Sequence, residues 1–153
     1  GPRPLITAGA VTIAAGFLAL GVAVAAEAFW LGVLPATGFV GFGLALVVAP
    51  LTTAVVNAVP DAHAGTASGV NNAAARVAGL MGVASLGLVA QARYLAEGGR
   101  ESFGAFSDSL GHAQAMIAGF QSLVLVCAAV ALLAGAIIWL GMSRAQASSS
   151  ASQ

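Results

Sequence analysis

The 153 residues are 59% hydrophobic and 7% charged, with five basic side chains against five acidic ones, whereas a soluble domain carries about 25% charged residues. All five cations are arginines and the net charge is zero, so no basic surface exists for nucleic acid or anionic lipid. A single Cys127 in an apolar run excludes both a disulfide framework and a cysteine metal site. The expectation is an all-α integral membrane chain in contact with the lipid bilayer.

The first span is expected over about residues 4–26, PLITAGAVTIAAGFLALGVAVAA, which is uncharged and at 1.5 Å per residue reaches roughly 35 Å, enough to cross. Arg3 marks one end. Glu27, followed by Phe29 and Trp30, marks the other as an interfacial anchor. The second span, about 31–57, carries Gly32, Pro35, Gly38, Gly41, Gly43 and Pro50, more breakers than a soluble helix tolerates. Gly41 and Gly43 suit close packing. Pro50 removes a hydrogen bond one turn back and predicts a kink between Leu46 and Pro50, either fixed or hinge-like. The spacing Gly38, Gly41, Gly43 mimics a nucleotide loop, but no strand precedes it and the surroundings are apolar.

The link 58–64, AVPDAHA, is too short to cross anything, so the second and third spans form an antiparallel hairpin. Asp61 is placed to cap the next helix, and His63 is an exposed loop residue.

The third span, about 65–91, places one arginine inside an otherwise apolar helix. At about 100° per residue, Gly65, Ser68, Gly69, Asn72, Arg76, Gly79 and Gly82 share one side, while Val70, Val77, Met81 and Leu88 lie opposite. With Gly65 near one surface, Arg76 stands roughly 16 Å into a hydrocarbon layer about 30 Å thick. Insertion scales set such an arginine at roughly +2.5 to +3.5 kcal/mol. The small polar face therefore meets other helices or a wet cavity.

Residues 92–114 read as a polar loop with mixed charges and one short surface helix, broken at Gly98-Gly99, with Tyr94, Phe103 and Phe106 resting on the interface. His112 has only Asp108 at helical spacing and is assigned to a solvated face. The fourth span, about 115–142, has Gln121 as its main polar residue, suited to an interhelical hydrogen bond. The tail, 143–153, is polar, of low complexity, and expected to be disordered. The domain division is thus a membrane region over 1–142 and a tail over 143–153. A start at Gly1 without a signal-peptide pattern suggests the C-terminal piece of a longer protein.

Four sets of residues together resemble the last four spans of a major facilitator superfamily transporter, in its fourteen-helix drug:proton antiporter branch of actinobacterial style. They are the opening Gly1-Pro2-Arg3-Pro4, then Phe29-Trp30 with Leu34-Pro35, Gly41-Phe42-Gly43 and Ala49-Pro50-Leu51, then the run from Ala64 to Asn72 with Arg76, Gly79 and Gly82, and last a polar loop leading to a final helix and tail. The resemblance implies a multi-pass protein of a bacterial cell membrane with both ends and the Pro60 to His63 hairpin cytoplasmic and the 93–112 loop external. It also implies that the second and third spans line the central cavity of the C-terminal half, while the first and fourth are outer supports. Its implied partners are the missing N-terminal spans, a small amphipathic or drug-like molecule, and protons. No cofactor is implied. None of the four spans holds a deep Asp or Glu, so the proton-carrying carboxylate belongs to the missing portion.

The functional reading is export by proton-coupled alternating access, with Asn72 and Arg76, and also Asn71 and Asn57, facing the cavity or gate. Pro50, Gly41, Gly43, Gly65, Gly69, Gly79 and Gly82 supply bending and close packing. Arg76 equally suits a structural tether to a neighbouring helix, and the asparagines suit interhelical packing. The alternative is a stand-alone four-helix membrane scaffold or assembly subunit. An enzyme is not expected: Ser68 and Ser85 have no histidine within the spans, and both histidines lie in loops.

Overall fold

The computed structural model describes residues 2–106 and 109–150; Asp108 lies outside them. The described residues form helices without strands: α1 (Pro2–Ala25), α2 (Leu34–Asn57), α3 (Ala64–Ala96) and α4 (Leu110–Ser150). All four are long and apolar enough to cross a membrane. A single π turn, Phe29–Val33, leads into α2, and a 3-10 turn, Asp61–His63, leads into α3.

Helix α1 is the hub. Its small residues let α2 approach on one side and α4 on another, and Ile6, Ala10, Ile13, Ala14 and Ala23 are buried there. A Cβ on Gly9 would stand 2.8 Å from the Gly43 carbonyl oxygen, and a Cβ on Gly43 would stand 2.8 Å from that of Gly9. The two backbones therefore cross at a point where neither chain has room for a side chain, the small-residue contact that membrane helices use. Gly16 repeats this against Val40 one to two turns on. On the α4 side, Gly135 meets Ala10, Gly21 meets Val124, and Gln121 Nε2 donates to the Gly21 carbonyl oxygen at 3.4 Å. Within these residues, the helix expected as an outer support is the one on which α2 and α4 pack, while α3 rests on α4 and α2.

Chain reversal between α1 and α2 takes three residues. Glu27 adopts φ 54°, and the Ala28 and Val33 N–H groups reach back five residues to the Ala23 and Ala28 carbonyls, each at 3.0 Å. Phe29 and Trp30 stack edge-on, 5.3 Å between centroids, and both are exposed, as interfacial aromatics are. Helix α2 continues through Pro50. Beyond it, Thr52 and Thr53 turn their hydroxyls back to the Val48 and Ala49 carbonyls at 2.9 and 3.0 Å, a pattern that bends helices.

The polar stretch is shorter and more ordered than its composition predicts. Helix α3 continues to Ala96 and α4 starts at Leu110. Loss of hydropathy marks where a helix leaves lipid, whereas its hydrogen-bond ladder runs on until a residue stops it. Here the stop is Gly98, at φ 88°. The Gly99 N–H bonds the Tyr94 carbonyl at 3.0 Å and the Gly98 N–H bonds that of Leu95 at 3.1 Å, the paired closure of a left-handed helix end. Helix α4 opens on Ser109, whose Oγ accepts from the His112 N–H at 3.2 Å. Its backbone runs to Ser150, past the end expected at Met142, because a formed helix extends cheaply into good helix formers such as Arg144, Ala145 and Gln146. The cap expected from Asp61 is not made: the α3 start carries no side-chain capping bond, and His63 is exposed.

Candidate functional site

Helix α3 is held at its two ends and stands clear between them. Near the hairpin it shares with α2 a largely apolar crevice of about 580 Å³, lined by Val55 of α2, by Val59 and His63 of the link, and by Ala67, Val70 and Asn71 of α3. At the far end Ala90 is fully buried against α4, where a Cβ on Gly119 would stand 2.9 Å from the Ala90 carbonyl oxygen. From Asn72 to Met81 every residue is exposed, whichever side of the helix it occupies.

Arg76 lies in the middle of this bare segment and has no hydrogen bond or ion pair among the described residues. Asn72 precedes it by one turn and is exposed on the same side. Gly65, Gly69 and Gly79 are open too, and a Cβ on any of them, or on Gly82, would meet nothing within 4 Å. The small polar face thus exists as an accessible stripe, and no helix among the described residues covers it.

The remaining candidates do not join it. Asn71 faces the α2–α3 crevice, whereas Asn57 lies with Pro50, Thr53 and Leu5 in a separate groove between α1 and α2. Gly43 packs closely against α1, whereas Gly41 meets nothing within 4 Å. The tight crossings fall instead on Gly9, Gly16, Gly21, Gly119 and Gly135. In sequence they stand 7 and 5 residues apart in the first apolar run and 16 apart in the fourth, a spacing that does not by itself mark a contact.

The second polar cluster, at the α3–α4 turn, was hidden by the assignment of residues 92–114 to a solvated loop. Tyr94 is 1% exposed. Its Oη lies 2.7 Å from His112 Nδ1, while His112 Nε2 lies 2.8 Å from the Ala105 carbonyl oxygen. A carbonyl only accepts, so Nε2 carries a proton, and a neutral ring then accepts the Tyr94 hydroxyl proton at Nδ1. His112 is therefore a half-buried tie rather than part of a solvated face. Gln91 closes the other side: its Oε1 accepts from the Phe103 N–H at 2.6 Å and its Nε2 donates to the Glu101 carbonyl at 3.4 Å. Arg93 and Glu97 pair at 2.6 Å on the surface, both about half exposed, a contact worth ~0.3–0.5 kcal/mol. Tyr94, His112 and Gln91 each have a partner, which is the mark of a structural clasp. No three His, Cys, Asp or Glu side chains gather to hold a metal among the described residues.

No protein-family model, curated protein or solved structure matches the chain.

Proposed function

We propose that these helices form part of a secondary active transporter of the major facilitator type that exports small amphipathic molecules in exchange for protons. The observation that carries the reading is the bare segment of α3, where Asn72 and Arg76, the ninth and thirteenth of its 33 residues, are exposed well inside a helix of membrane-spanning length. Ionisable side chains at such depth mark ion or substrate paths, because their desolvation is otherwise uncompensated. In this reading α3 borders the transport path, Asn72 and Arg76 contribute to the cavity or its gate, and α1 with α4 braces it.

Transporter sites form between repeats, so the reading requires further spans besides these four, including one that bears the proton-carrying carboxylate. The bilayer is the cell membrane of a bacterium, with the Pro60 to His63 turn on the cytoplasmic side.

Accumulation of a fluorescent amphipathic cation in an efflux-deficient bacterium expressing the full-length protein tests this. Lower accumulation than in vector controls, abolished by a protonophore, is the expected result. Protein that reaches the membrane yet never lowers accumulation of this or other amphipathic ions favours the alternative, a helical membrane scaffold without transport.

A further inference from the structure

Among the described residues, no carboxylate pairs with the guanidinium of Arg76. Glu27, Asp61, Glu97 and Glu101 all stand at or beyond helix ends. Asp61, the nearest in sequence on the hairpin side, is fifteen residues away, roughly 22 Å along a helix. Glu97 is already paired with Arg93. The helix turns on either side of Arg76 are exposed all round, and Gly69 and Gly79, two turns before and one after it on the same side, leave open space where another backbone can approach.

We propose that this segment, from Asn72 to Gly82, seats a transmembrane helix from outside these 153 residues that carries an Asp or Glu at the depth of Arg76. The charge selects the occupant. A cation at hydrocarbon depth is offset by an anion, by backbone carbonyls or by water; of these a carboxylate on a neighbouring helix neutralises it, and the glycines near Arg76 let a helix come close enough for that short side chain to reach. A second copy of α3 does not meet the requirement: a two-fold axis normal to the membrane would bring Arg76 against Arg76. Lipid headgroups lie too far from mid-depth, and acyl chains leave the charge unpaired. The inference names the partner of the face assigned to the gate above and shares with that reading only the membrane placement, not transport itself.

Photocrosslinking in native membranes tests it without reference to efflux. In the full-length protein, p-benzoylphenylalanine is placed at Ala73 or Leu80, three residues before and four after Arg76, and the crosslinked peptides are identified by mass spectrometry. The expected product joins α3 to an apolar span with an Asp or Glu within one turn of the crosslink. Replacing that carboxylate by Ala, or Arg76→Met, should lower the yield about tenfold, and exchanging the two charges should recover it. Crosslinks only to lipid, to α3 of a second copy, or to a span without a carboxylate overturn the proposal. So does an unchanged yield in Arg76→Met. A confirmed partner without efflux would sink the transport reading alone.

Discussion

Tyr94, on the last turn of α3, and His112, on the first turn of α4, meet at 2.7 Å between Oη and Nδ1, and this contact closes the turn that separates the two helices. The same hydroxyl lies 3.4 Å from the Glu101 N–H, and the Tyr94 ring packs edge-on against both His112 and Phe103. One buried side chain therefore fixes both helix ends and the loop between them.

Tyr94→Phe keeps the ring and removes the hydroxyl, leaving His112 Nδ1 and the Glu101 N–H without it. The expected cost is about 1 kcal/mol, as for other partly buried hydrogen bonds. Hydrogen exchange at the 101–105 amides should quicken about fivefold, with α1 and α2 unchanged. Unaltered exchange in the loop would show that the ring alone holds it.

Gly43→Val should destabilise the α1–α2 crossing, because a Cβ there stands 2.8 Å from the Gly9 carbonyl oxygen and 2.7 Å from Ile13 Cγ1. Overpacking of this kind costs about 1–3 kcal/mol. Gly41→Val, two residues away with open space at its Cβ, is the control. Thermal unfolding of the detergent-solubilised protein should show a lowered midpoint for the first substitution and little change for the second.

Gln121→Leu should cost less, about 0.5 kcal/mol, since its bond to the Gly21 carbonyl is long at 3.4 Å and membrane interhelical bonds average near that value. A larger loss in the same unfolding measurement would mean that Gln121 has a further partner.

Helix α3 separates two turns that should lie on opposite sides of the membrane, its 33 residues spanning roughly 50 Å against a hydrocarbon layer of about 30 Å. Cysteines introduced at Ala62 and Ser102 in a Cys127→Ser background should react with an impermeant maleimide from opposite faces. Labelling of both from one face would show that α3 does not cross.

The four helices were legible because each is an apolar run long enough to be unambiguous. What remained hidden were contacts between distant segments. The Gly9 and Gly43 crossing needs two residues 34 positions apart, and helix-wide periodicity cannot show which glycine on a run meets a neighbour. Gly41 and Gly43 look alike in sequence, yet only the second faces α1. The Tyr94 clasp was obscured because a polar segment reads as solvated until its partners are known, although Ser109 and Gly98 carried legible cap and stop signals. Arg76 was recognisable as a charge needing an explanation, and the structure adds that α1, α2 and α4 do not supply one.

The central claim, that the exposed α3 face serves export, is tested most directly by Arg76→Ala in the full-length protein, with efflux and membrane abundance measured in the same cells. Efflux should fall about tenfold, equivalent to ~1.4 kcal/mol, while the protein reaches the membrane at its normal level. Undiminished efflux at normal abundance, or a loss of efflux that only follows a loss of protein, would contradict it.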